Sequence, residues 1–366
     1  MLRALAAMMV VVWHSHLAIK NTIHNYWLEG DAIYRGSHYP AFLNHLDLGV
    51  DIFFCISGFI MYMLIEKLSP NAESSLRFLL NRAIRIFPPY WFFSILVVIA
   101  FLLSKGSFNV GQLSGDLSVD SFRFLTSILL LPQPQSPILG VGWTLVHESL
   151  FYFVCGLLVI AGLNRRLPEV LAAVSIVAVI LAVLNIPILF GYAFSTFYIE
   201  FLFGALAYKL YKTNRITTFP ILTILFGGVC YLSVCYILDF QIVHNITFFT
   251  RQLGGGLVGF LLISGVIGAD KKYSISTTIL GSLLMRIGDA SYTLYLMHWF
   301  VLSIMGKIIG LVPGVPLLVV AIWHLLSIAT AIAFAVFLAE RIELPFHRWL
   351  LQRVKSYWRS DRQTAR

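Results

Sequence analysis

Long apolar runs alternate with short polar breaks along this chain, and the runs recur at about 17 to 25 residues, the length an α-helix needs to cross a bilayer core. They fall near residues 3–19, 46–66, 86–104, 141–161, 168–186, 193–211, 217–238, 252–269, 288–309 and 317–340. The runs are continuous and do not alternate polar with apolar, which selects helices over a transmembrane barrel. The pattern predicts an all-α fold, a polytopic membrane helical bundle of about ten transmembrane helices. Between the third and fourth runs, Phe122 to Leu131 is too short to cross and leads into a Pro-rich stretch at 132–137. It is expected to be re-entrant or interfacial. Arg3 followed by an apolar run resembles a signal peptide, but no small-residue cleavage site closes that run, and His14 and His16 interrupt it. The segment is therefore expected to remain as the first helix.

Composition agrees with the pattern. The 366 residues are 59% hydrophobic and only 12% charged, more apolar surface than one water-soluble core can hide. The net charge of +9 would suggest nucleic acid only if the cations shared a solvated face, whereas they are scattered between apolar spans. With the amino terminus inside, twenty of the 26 Lys and Arg fall on the inner side, and six (Lys20, Arg35, Lys105, Arg123, Arg251 and Lys307) fall outside. This asymmetry predicts that both termini are cytoplasmic. The expected organisation is one transmembrane domain over 1–345 and a basic amphipathic tail over 346–366. In that tail Trp349, Leu350, Val354, Tyr357 and Trp358 share a helical face among Arg348, Arg353, Lys355 and Arg359, a pattern suited to an anionic lipid surface. Gly255 and Gly259 form a small-xxx-small pair expected to permit close helix packing. Cys55, Cys155, Cys230 and Cys235 all lie in apolar stretches and read as small buried hydrophobes.

Charged and polar groups inside spans are costly, by roughly 2.5 to 3.5 kcal/mol on insertion scales, so each is a candidate for function. Arg3 and His14 are eleven positions apart, three turns plus about 20°, so they share a face with a rise of about 16 Å. Such a helix suits a donor whose anionic part stays at the inner rim while its reactive end projects inward. Taken alone, Arg3 fits equally well as a positive-inside anchor, and His14 as part of a packed polar patch. Arg82 and Arg85, three apart ahead of the third span, can grip phosphates together, although a positive-inside cluster explains them too. Glu148 shares a face with Tyr152 and is suited to orienting an imidazole, holding a sugar hydroxyl or pairing structurally. Ser291, Tyr295 and His298 form one polar stripe that faces either a cavity or another helix. Asp47 and Asp51 lie one turn apart, and Asp51 is equally suited to a substrate cavity or to neutralising an intramembrane cation. Glu200 and His324 read as structural, and His147 is assigned no role. No metal is expected: His14 and His16 diverge on a helix, and no HExxH pattern, Walker loop or GxSxG elbow occurs.

Together these segments resemble the acyltransferase 3 family of bacterial membrane O-acyltransferases, and most closely its exopolysaccharide-modifying branch. The matches run in order along the chain: Arg3 through His14, an Arg and a His separated by ten residues; Gly49-Val-Asp-Ile-Phe-Phe-Cys-Ile-Ser-Gly-Phe59; and Arg82-Ala-Ile-Arg85-Ile-Phe-Pro88. Trp143-Thr-Leu-Val-His-Glu148 with Phe151-Tyr152, and Ser291-Tyr-Thr-Leu-Tyr295-Leu-Met-His298, complete the set. The resemblance implies ten family helices, a multi-pass bacterial inner-membrane protein, and acyl-CoA as donor from the cytoplasm. It makes His14 the essential histidine, with Arg3 supporting it and Arg82 and Arg85 contacting the donor. No tightly bound cofactor is expected. The expected partners are acyl-CoA, a polysaccharide or lipid-linked sugar acceptor, membrane lipids and polysaccharide synthesis enzymes, with no nucleic acid.

Only Met1 and Leu2 precede Arg3, where relatives carry a longer leader, and the extra esterase-like domain of some members is not found in this sequence. The expected reaction is transfer of an acyl group, acetyl on the simplest reading, to a sugar hydroxyl. His14 serves as base, Glu148 or Asp51 as its carboxylate partner, and Ser291, Tyr295 and His298 line the cavity. The rival readings are a glycan or lipid-linked intermediate transporter or flippase, and a non-catalytic subunit of a synthesis complex.

Overall fold

The computed structural model describes residues 1–26, 41–103, 121–216, 218–239, 247–312 and 315–364. Arg35, Lys105 and Arg366 lie outside the described residues, as do the side chains of Lys20, Tyr357, Trp358, Arg359 and Arg362. Every regular element among the described residues is helical. In chain order the main helices are α1 (Leu2–Tyr26), α2 (Gly49–Ile65), α3 (Ala72–Leu103), α4 (Ser121–Ile128), α5 (Trp143–Ile160), α6 (Leu167–Val183) and α7 (Tyr198–Lys212). They continue with α8 (Pro220–Asp239), α9 (Thr247–Tyr273), α10 (Ile279–Asp289), α11 (Ser291–Gly310), α12 (Leu317–Leu338) and α13 (Leu344–Thr364). Eight helical segments are long and apolar enough to cross a membrane. The other two expected spans form as helices too: α1 carries a shorter apolar segment, Leu2–Ala18, and α7 has 15 residues, with Glu200 in its first turn and Lys209 and Lys212 in its last.

The exterior is that of a membrane protein. Leu222, Leu225, Phe226 and Val229 of α8 are all more than half exposed, an arrangement that water would penalise and lipid does not. With no hydrophobic drive between helices in lipid, close packing has to hold them together, and small residues supply it. At the α2–α7 contact, a Cβ on Gly58 would collide with the Phe201 carbonyl, and one on Gly204 with the Cys55 carbonyl. The predicted Gly255 and Gly259 pair brings α9 against the same α2, where their added Cβ atoms would meet Asp51 and Cys55. Helix α2 is thereby clamped between α7 and α9.

Three local features position the site. First, α3 starts far earlier than the apolar run suggested: Asn71 Oδ1 caps it by accepting from the Ser74 N–H at 2.7 Å, and the helix runs unbroken through Pro88 and Pro89. Arg82 and Arg85 therefore stand on a helix and not on a connecting loop. Second, α4 and the turn after it are folded in against α3, where Tyr90 donates to the Ser127 carbonyl at 2.9 Å and Trp91 to that of Ile128 at 2.8 Å. Third, α12 passes into α13 through a π-turn, Ala339–Glu343. That extra residue per turn swings Glu343 onto Thr293 and His347 toward the bundle. Just past α2, Glu66 accepts from Tyr208 at 2.5 Å and from Lys212 at 2.7 Å. Burial pushes its carboxyl up, but the Lys212 and Tyr208 partners outweigh this and hold it below its ordinary value.

Candidate active site

A cavity of about 420 Å³ opens between α1, α2, α3, α5 and α11, with α13 at its rim. Six residues singled out from the sequence stand on its wall: Arg3, Arg82, Arg85, Glu148, Ser291 and Tyr295. Arg3, in the first turn of α1, donates from Nε to Ser291 Oγ at 3.2 Å, tying α1 to the start of α11. Arg82 and Arg85 project from α3 with the expected three-residue spacing. Among the described residues no carboxylate lies within ion-pair distance of these three guanidiniums. The wall carries two carboxylates, Glu148 and Asp289, against the three arginines. The balance is positive, which suits a phosphate-bearing ligand.

Glu148 has hydroxyl partners. Ser57 of α2 donates to its Oε1 at 2.8 Å, and Tyr152, one turn along α5, donates to the same oxygen. Neither histidine of the predicted site reaches it, so the expected role of orienting an imidazole is not made here. Tyr295 is fixed on the other wall, donating to the Val141 carbonyl at 3.0 Å and bonding Thr144 Oγ1 at 2.8 Å. Its ring lies 6.2 Å from that of Phe53.

His14 and His298 stand off the cavity wall, with the Tyr295 ring 6.1 Å from that of His298. They form a pair: His298 Nε2 lies 3.1 Å from His14 Nδ1. His298 is fully buried, while His14 packs between the rings of Trp13 and Trp299 at 4.6 and 4.8 Å. Helical periodicity placed Arg3 and His14 correctly on one face. It did not show that the cavity reaching Arg3 leaves His14 off its wall, because the residues that line it there come from α2 and α11.

Asp51 is likewise off the wall, which corrects its placement in the substrate cavity. Its Oδ2 pairs with Arg251 at 3.0 Å, and Asp47 pairs with the same guanidinium at 2.8 Å. It is the neutralising role that the sequence left open, with Arg251 of α9 as the cation. Glu200, fully buried, lies beside Asp51. His324 bonds Ser15 at 2.5 Å, a contact between α12 and α1. His147 is enclosed by Trp143, Tyr192 and Phe197. The cavity also holds Ser57, Tyr292, Asp289 and His347, which sequence reasoning did not single out. Ser57 lay inside the second-helix motif and Tyr292 inside the Ser291–His298 motif, so both had a signal. His347 had none, since only the π-turn brings the tail to the cavity. Among the described residues no group of three or more His, Cys, Asp or Glu is placed to hold a metal.

Residues 1–340 match the acyltransferase domain model of the acyltransferase 3 family, and the chain belongs to that family. It is a membrane acyltransferase, which sets aside the transporter and non-catalytic readings. Among curated proteins it is similar to the exopolysaccharide production protein ExoZ of Rhizobium meliloti (strain 1021), at 29% identity over 270 residues, covering 71% of this chain and 77% of that protein. No solved structure matches it significantly.

Proposed function

We propose that this enzyme transfers an acyl group, acetyl on the simplest reading, from acyl-CoA to a sugar hydroxyl of a cell-surface or exported polysaccharide. The observation that carries the reading is the set of three guanidiniums without carboxylate partners, Arg3, Arg82 and Arg85, in a cavity whose wall residue Tyr295 lies 6.1 Å from the ring of His298, the partner of His14. The name of the ExoZ relative supports an exopolysaccharide, or its lipid-linked precursor, as acceptor. The basic end of the bundle, with both termini, is placed at the cytoplasmic face of a bacterial inner membrane, where acyl-CoA is available.

On this reading Arg82 and Arg85 hold the phosphates of CoA, and the pantetheine arm carries the thioester inward. His14 takes the proton of the acceptor hydroxyl as that oxygen bonds the acyl carbon. The carbon–sulfur bond breaks, and the CoA thiolate leaves with the proton that His14 returns. Ser57, Glu148 and Tyr152 form a polar rail along the route. The Tyr295–Phe53 layer has to part for the thioester to reach His14.

Incubating the purified protein with radiolabelled acetyl-CoA and a panel of bacterial exopolysaccharides and lipid-linked oligosaccharides tests the proposal. Label on the glycan with stoichiometric free CoA is expected. No transfer to any glycan, with label moving instead to a protein or small amine, would overturn the choice of acceptor.

A further inference from the structure

We infer that His298 is a positioning residue that fixes His14 in one tautomer, with its proton on Nδ1 and Nε2 left bare as the basic nitrogen. The inference rests on His14 being the base. It follows from two carbonyls, each of which can only accept.

His298 Nδ1 lies 3.0 Å from the Leu294 carbonyl, one turn back on α11. Nδ1 must therefore carry a proton and donate it. In the neutral ring, Nε2 is then an acceptor. That nitrogen is the one that faces His14, at 3.1 Å from its Nδ1. His14 Nδ1 also lies 3.0 Å from the Val10 carbonyl, one turn back on α1, so it too must carry a proton. Its single N–H is shared between the Val10 oxygen and His298 Nε2. Neutral His14 has no proton left for Nε2, and among the described residues nothing hydrogen-bonds that atom.

The arrangement does for a histidine base what a buried carboxylate does elsewhere: it holds the ring and sets which nitrogen is basic. It uses a neutral acceptor, and among the described residues no carboxylate bonds either ring to favour an imidazolium. The groups facing the pair are few. Trp13 and Trp299 flank His14 with rings, Tyr295 lies 6.1 Å from the His298 ring, and His324 on α12 bonds the neighbouring Ser15. Glu148, one of the two carboxylates on the cavity wall, is committed to Ser57 and Tyr152.

Two measurements test this together. In His298→Leu, which removes the acceptor, kcat for acyl transfer should fall about ten- to a hundredfold with KM for acyl-CoA unchanged. In His298→Gln, whose amide oxygen reaches where Nε2 stood, most of that loss should be recovered. Nitrogen-15 NMR of wild-type protein labelled at histidine should show His14, assigned by its loss in His14→Ala, as the Nδ1–H form at neutral pH. An Nε2–H form in wild type overturns the inference, and that result does not depend on any variant folding. Full activity in His298→Leu overturns it as well, while inactivity of His14→Ala alongside leaves the base itself standing. Full activity in His14→Ala defeats the catalytic reading and this inference with it.

Discussion

At the scale of single residues the site divides into groups that bind and groups that react. Arg82 and Arg85 have no carboxylate to lose, so replacing them removes ligand contacts and leaves no orphaned partner. Charge-assisted hydrogen bonds are worth about 1.5 to 3 kcal/mol each, and Arg82→Ala or Arg85→Ala should raise KM for acyl-CoA roughly ten- to a hundredfold while KM for the glycan holds. Steady-state kinetics with both substrates varied will check this; equal rises for both would remove the donor assignment. For His14→Ala the expected loss in kcat is on the order of a hundredfold or more, with unchanged membrane insertion shown by detergent extraction and size-exclusion chromatography. Much of this site was legible beforehand because arginine and histidine inside or at the edge of apolar runs are expensive or conspicuous. What stayed illegible was how they pair. Periodicity puts Ser291, Tyr295 and His298 on one stripe of α11, yet Tyr295 faces the cavity while His298 faces His14. A stripe does not say which of its members meets which neighbour.

Helices here are held by close backbone approach and by the charge cluster of Arg251 with Asp47 and the buried Asp51. At Gly204 a methyl group would meet the Cys55 carbonyl, and backbone cannot step aside cheaply. Gly204→Ala should therefore lower the thermal unfolding midpoint in detergent sharply, whereas Gly228→Ala, with nothing within 4 Å, should be neutral or gain up to about 1 kcal/mol from helix propensity. Similar midpoints for the two variants would refute the clamp on α2. Arg251→Ala leaves Asp51 buried without its cation, a change worth about 3 to 5 kcal/mol, and adding Asp51→Asn should restore much of the folded yield. Fluorescence-detected size exclusion measures both. The ten spans and their order followed from hydropathy, but the extra helix α10 and the start of α3 did not. An apolar run marks where a helix meets lipid, and Asn71 starts this one well outside that zone.

For the molecule as a whole, the basic end is laced by polar contacts that only the fold creates. Glu66, Tyr208 and Lys212 come from two helices, and Glu66 titrates below its ordinary carboxylate value. A depressed acid stabilises the fold fully above its unfolded value, about 4.3, and that contribution disappears as pH falls through the folded value. Wild-type protein should thus lead Glu66→Gln in thermal midpoint at pH 7 by the equivalent of about 1 kcal/mol, a modest figure because Lys212 is largely exposed. The lead should shrink below about pH 4.5; a gap constant from pH 7 to 4 would show that Glu66 acts through packing alone. The place of Tyr295 and Phe53 on the cavity wall bears on a different economy, that of the cell's ion gradients. A chamber wide enough to admit a nucleotide-sized donor would short-circuit a proton-motive force if it ran clear through the bilayer. On the proposed reading, the tyrosine pinned at both Thr144 and Val141 is where such a passage is barred, keeping the membrane insulated while the enzyme waits for its substrates.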